Sequence, residues 1–179
     1  RDPAECELRH VLFREPLAMN DTGERRVRLE LTPDGEQAHL QVSSTPAGGG
    51  DAGTHLEAVV CTVDPAEPRP AVHAAFSGDG ADMADAYALA RQVEIRHLDF
   101  MQARGTVHSG DSGRVAELYL GEAAAAYADH FYLHPTFMDA ATLVPLQGLA
   151  AAVAHARPFI PLTFERVRVF GPLPLPCRV

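Results

Sequence analysis

The sequence predicts an α+β fold in which antiparallel strands curl around one long apolar helix. Three observations carry this expectation: two pairs of alternating segments joined by turn residues, an Ala-rich apolar run that opens at Pro135, and a strand-like segment after Arg157-Pro158.

The first strand comes from the apolar run Val11-Leu12-Phe13, which ends near Pro16. From Arg25 to Thr32 the chain alternates, with Val27, Leu29 and Leu31 on one face and Arg26, Arg28 and Glu30 on the other. Pro33-Asp34-Gly35 then turns it, and Ala38, Leu40 and Val42 alternate back, which is a hairpin pattern. After Gly48-Gly49-Gly50, residues 56–63 supply a fourth strand. The stretch Asp64 to Pro70 holds three prolines in seven residues, which can neither donate to a sheet ladder nor continue a helix, so it is predicted to be a linker.

Beyond the linker, Ala81 to Arg91 has helical periodicity. A second hairpin follows, from Met101 to His108, through Ser109 to Gly113, and back over Val115 to Leu120. Proline suits the first position of a helix, where its missing N–H would be unpaired anyway, so a helix is predicted over 135–156. The chain returns to strand over 160–170, with Leu162, Phe164, Val167 and Val169 inward, and closes on a proline-rich stretch from Pro172 to Pro176. The expected organisation is therefore strands over 1–63, a linker over 64–78 and a second half over 79–179.

Composition narrows the function classes. At 179 residues the chain is one large domain or two small ones, and 46% hydrophobic content supports a real core. All fifteen basic residues are arginine, and twenty-four acids bring the net charge to −9, which disfavours binding to a phosphate backbone. Cys6, Cys61 and Cys177 lie far apart, without the spacing of a zinc site or a disulfide framework. With no initiator Met, no signal peptide and no membrane-length apolar run, the chain is expected to be an excised piece of a cytoplasmic protein.

Chemistry points to His134-Pro135-Thr136-Phe137-Met138-Asp139, which sets a carboxylate one turn inside an apolar helix. Burial there raises the pKa of Asp139, and the helix N-terminus opposes it by only about 0.3–1 kcal/mol. An acid that keeps its proton near neutrality is the functional possibility; a residue that merely caps or solubilises the helix start is the structural one. His134 suits structural hydrogen bonding better than proton transfer. His97, on a loop, is the one substitute for a base, although a lone loop histidine is ordinarily exposed. The other histidines show no metal-ligand spacing, so no metal is expected. There is no Gly-x-Ser-x-Gly element and no phosphate-cradling Gly loop.

The order of these elements, with the His134-Pro135-x-x-x-Asp139 helix and Ile160-Pro161-Leu162-Thr163-Phe164-Glu165-Arg166-Val167, resembles the dehydratase domain of modular polyketide synthases. Val11-Leu12-Phe13-Arg14-Glu15-Pro16-Leu17 is similar to the strand that follows that family's first central helix. The resemblance implies a double hotdog, two sheets each wrapped around a helix, incomplete at the N-terminal hotdog. It implies elimination of water from a β-hydroxyacyl thioester, with Asp139 as the acid. The family's histidine base sits in a His-x-x-x-Gly-x-x-x-x-Pro element that none of the nine histidines matches, so either it lies upstream of Arg1 or the domain lacks it.

Also implied is an acyl tunnel lined by Phe137, Leu143, Phe159 and Pro161, with His134, Pro135 and His97 beside it. No cofactor is expected beyond the phosphopantetheine of an acyl carrier protein. The expected partners are that carrier protein, neighbouring synthase domains such as the ketosynthase, and a second copy of the domain. Two positions depart from the family: Leu143 stands where a Gln or His orients the acid, and Arg96-His97-Leu98 replaces a Tyr-Gly-Pro turn. These departures leave open an alternative, a dehydratase-fold domain of the branching or pseudo-dehydratase kind that docks carrier protein or ketosynthase without dehydrating.

Overall fold

The computed structural model describes residues 5–19, 23–64, 66, 80–110, 113–149 and 161–179. They fall into two units, one of residues 1–69 with 161–171 and one of 70–160 with 172–179. Most of the predicted 64–78 linker lies outside the described residues.

The first unit is a five-stranded antiparallel sheet built from β1 (Cys6–Phe13), β2 (Arg25–Asp34), β3 (Gln37–Pro46), β4 (Gly53–Thr62) and β8 (Thr163–Arg168), in the order β2-β3-β4-β1-β8. The expected hairpin forms, but it turns at Gly35-Glu36, where Gly35 supplies a φ of +61°, and Pro33 is still strand. A proline fits there because β2 is an edge strand, free of a ladder on one side. Cross-strand rows Leu29–Val42–Leu56 and Leu31–Leu40–Ala58 form an apolar face. At its β2 end Leu29 and Leu31 are 70% and 60% exposed, and among the described residues this unit has no α-helix to cover them. Glu7 is buried in the same sheet and paired with Arg9 and Arg166. Burial pushes its carboxyl up, but the two guanidinium groups outweigh it and hold the group below its ordinary value.

Strand β8 departs from expectation. It runs over 163–168 rather than 160–170 and pairs with β1 of the first sheet, although the sequence grouped it with 79–179. Leu162 is exposed rather than inward, while Phe164 meets Phe13 edge-on at 6.0 Å. An alternating pattern fixes which side chains share a face; it carries no information on which sheet receives the strand.

In the second unit β5 (Ala81–Asp82), β6 (Ala103–Gly110), β7 (Gly113–Leu120) and β9 (Cys177–Arg178) form an antiparallel sheet in the order β5-β6-β7-β9. Helix α1 (Met83–Gln92) starts where the Asp82 carboxylate accepts the Ala84 N–H at 2.8 Å. Its stripe Met83, Ala86, Tyr87, Ala90 is buried, at the spacing of one helix face. A short α2 (Glu122–Ala125) precedes α3 (Pro135–Leu143), whose Phe137, Ala140 and Leu143 join the same core with Val107 and Leu118 of the sheet.

The predicted helix over 135–156 is cut short. Its α-helical part ends at Leu143 and a 3-10 segment continues over Val144–Leu149; residues 150–156 lie outside the described residues. The cause is Pro145, hidden in the apolar run: it has no N–H to return to the preceding turn, and its ring collides with that turn's carbonyl.

Candidate active site

Helix α3 opens on a histidine rather than on the usual hydroxyl or carboxylate cap. His134 Nδ1 accepts the Thr136 N–H at 3.2 Å, and Pro135 takes the first helical position. The imidazole is buried among rings, stacked on Phe100 at 5.3 Å and edge-on to Phe131 at 4.9 Å. Burial holds its pKa below the ordinary histidine value, with the Ala124 backbone acting the other way. The neutral form is the one that an accepting Nδ1 requires. His134 is therefore a capping and packing residue here. Beside it, the fully buried Thr136 donates its hydroxyl to the Phe100 carbonyl at 2.6 Å.

One turn on, the Asp139 side chain is 32% exposed and faces His97. Burial pushes the carboxyl up, His97 acts in the opposite direction, and the net shift is upward. His97 Nε2 stands 3.0 Å from Asp139 Oδ2, and its side chain is only 8% exposed, against the expectation for a loop histidine. The ring rests on Tyr87 at 5.0 Å between centroids. Tyr87 in turn is pinned to β6, its hydroxyl accepting the Ala103 N–H at 2.7 Å. Burial drives that phenol up to about 12, so it stays neutral. Gln102 Nε2 donates to the His97 carbonyl at 2.6 Å and fixes the loop from behind.

The remaining expected residues scatter. Phe137 and Leu143 are core residues, 2% and 6% exposed. Phe137 also joins His134, Phe131, Leu120 and Leu173 in the wall of a cleft of about 330 Å³ that Asp129 and His130 line as well. Phe159 lies outside the described residues, and Pro161 is exposed in the other unit. Among the described residues no three His, Cys, Asp or Glu side chains converge as metal ligands, and no helix is long and apolar enough to cross a membrane. Sequence reasoning missed Tyr87, Gln102 and Thr136. Tyr87 sat inside an apolar helical stripe and looked like core alone; its hydroxyl, a polar tip that needs a partner when buried, was the available signal.

An antiparallel sheet with a short apolar helix laid on it, and a carboxyl near the start of that helix facing a buried histidine, define a hotdog-type domain. The family described as polyketide synthase dehydratase N-terminal domain matches residues 65–179. The chain belongs to the polyketide synthase dehydratase family. Polyketide synthase ThaG of Burkholderia thailandensis is 32% identical over 143 residues, 75% of this chain and 2% of that protein. Polyketide synthase PksL of Bacillus subtilis is 30% identical over 82 residues, 45% of this chain and 2% of that protein. Among solved structures, an N-terminal dehydratase from the difficidin assembly line superposes with a TM-score of 0.74 at 24% identity, covering 90% of this chain and 58% of that one. A monomeric dehydratase domain from a trans AT polyketide synthase split module gives 0.76 at 19% identity, covering 93% and 64%. The chain thus spans a small fraction of the curated synthases and under two thirds of these dehydratase structures.

Proposed function

We propose that the chain acts as a dehydratase-like domain on a β-hydroxyacyl thioester borne by an acyl carrier protein, with Asp139 as the general acid. The observation that carries the proposal is the Asp139 carboxyl, raised by burial and still partly open, at the start of α3. A carboxylic acid whose pKa is raised is better suited than an ordinary surface aspartate to deliver a proton to a poor leaving group. In this reading a histidine base of the kind the family resemblance implies takes the α-proton. The electron pair forms the Cα–Cβ double bond, the C–O bond breaks, and the Asp139 proton leaves with the hydroxyl as water. The base ends protonated and Asp139 ionised, so a proton must return to Asp139 before the next cycle. Family membership supports the reaction class.

One observation favours a second reading, a domain that docks carrier protein or ketosynthase without eliminating water: the buried Leu143 places only carbon one turn from Asp139, where the acid would gain from a polar neighbour. Mass spectrometry of the parent module, incubated with carrier protein bearing a 3-hydroxyacyl group, distinguishes the two. Loss of water that disappears in Asp139→Asn supports the dehydratase; a persistent hydroxyacyl species with carrier protein still bound supports docking.

A further inference from the structure

His97 has the features of a group placed for one task. Its ring is held by Tyr87, its carbonyl by Gln102, and its Nε2 stands 3.0 Å from Asp139 Oδ2, an ion-pair distance at which the oxygen has no aligned hydrogen-bond donor among the described residues. Its Nδ1 is buried without a hydrogen-bond partner among the described residues. A buried unpaired polar atom costs about 1–3 kcal/mol. The polar group that this ring faces is the Asp139 carboxyl.

On α3 itself Leu143, one turn from Asp139, is aliphatic and buried, and the Thr142 hydroxyl donates to the Asp139 backbone carbonyl at 2.7 Å rather than to its side chain. Without His97 the Asp139 side chain would be free to rotate about its terminal bond.

We propose that His97 is the positioning residue of Asp139, holding one carboxyl oxygen so that the other is presented to the departing hydroxyl. The proposal rests on Asp139 being the acid. His97 touches no substrate atom; it fixes the rotamer of the acid and stabilises the carboxylate left after the proton has gone. Its charge also opposes the desolvation that would otherwise drive Asp139 further up. Tyr87, whose ring packs on His97, is neutral and adds no charge.

The test uses His97→Phe, which keeps a ring, and His97→Gln, which keeps a donor without the charge. In the 179-residue chain, the Asp139 carboxyl is titrated by carbon NMR, its resonance identified by its absence in Asp139→Asn. In the parent module, the pH–rate profile of water loss is recorded for each variant. In His97→Phe the Asp139 midpoint should rise by about one pH unit or more, and kcat should fall about a hundredfold with KM little changed, the scale of a misplaced reacting group. His97→Gln should restore most of kcat while its pH profile stays displaced. An Asp139 midpoint that does not move in a folded His97→Phe chain, or equal rates for Phe and Gln, overturns the proposal. If the midpoint moves as expected but the unaltered module releases no water, the dehydratase assignment fails and the pairing stands.

Discussion

Thr136 Oγ1 donates to the Phe100 carbonyl at 2.6 Å, and this bond ties the first turn of α3 to the segment that follows His97. The acid and the histidine facing it thus come from elements joined by a buried side-chain bond.

Thr136→Val keeps the shape and removes the donor, leaving the Phe100 carbonyl without its hydroxyl. Destabilisation of about 1–3 kcal/mol is expected, read as lost amide hydrogen-exchange protection in α3. Thr136→Ser retains the hydroxyl and should stay close to the native chain. Equal protection in the two variants would show that the bond contributes nothing.

The cap of α3 gives a pH prediction with a definite sign. Burial sets the pKa of folded His134 below its ordinary 6.5. As pH falls below 6.5 the unfolded chain therefore binds a proton before the native one does, and stability drops with pH until the lowered native value is passed. His134→Asn preserves a cap acceptor and removes this titration, whereas His134→Ala should cost about 0.5–2 kcal/mol at neutral pH. Thermal midpoints of the three proteins on both sides of 6.5 test this; an Asn variant with an undiminished acid-side drop would refute it.

Much of this arrangement was legible locally. The turn residues near Gly35 and the alternation around Leu29 and Leu118 marked both hairpins, and Pro135 marked the start of the acid-bearing helix. The end of that helix was missed because Pro145 is flanked by apolar residues whose run outweighed one breaker. The membership of β8 could not be read from its own residues, since Glu7, its ionic partner, lies near the other end of the chain. Nor could the His97–Asp139 contact be foreseen: loop histidines normally face water, and it is tertiary packing, the Tyr87 ring included, that encloses this one.

Gly105 allows β6 and β7 to approach as they do. Its φ is +146°, and a Cβ there would stand 1.9 Å from the Glu117 carbonyl oxygen, so the backbone itself must move to admit one. Gly105→Ala should destabilise the second unit by about 1–3 kcal/mol or more through overpacking and backbone strain, seen as a lower thermal midpoint. Gly35→Ala is the control: that site has the same sign of φ but open space around it, so the smaller loss there separates strain from collision. Equal losses at the two positions would mean that the close approach to Glu117 is not what Gly105 is for.

Asp139 should cost stability at neutral pH. Its folded pKa is raised above the ordinary 3.8, chiefly by burial. Between 3.8 and the raised value the native state holds a proton that the unfolded chain has lost, so stability falls as pH rises through that window, and the full deficit persists above it. Asn cannot ionise, and it keeps the shape of the side chain. Asp139→Asn is therefore expected to be more stable than the native chain at neutral pH, with the gain vanishing below 3.8, while water loss in the module disappears. Thermal midpoints across that range make the comparison. A variant less stable at neutral pH would mean that attraction between the carboxylate and His97 exceeds the cost of desolvation, and that Asp139 is ionised in the resting protein; a gain accompanied by lost activity is the signature of a group kept for its chemistry at the expense of the fold.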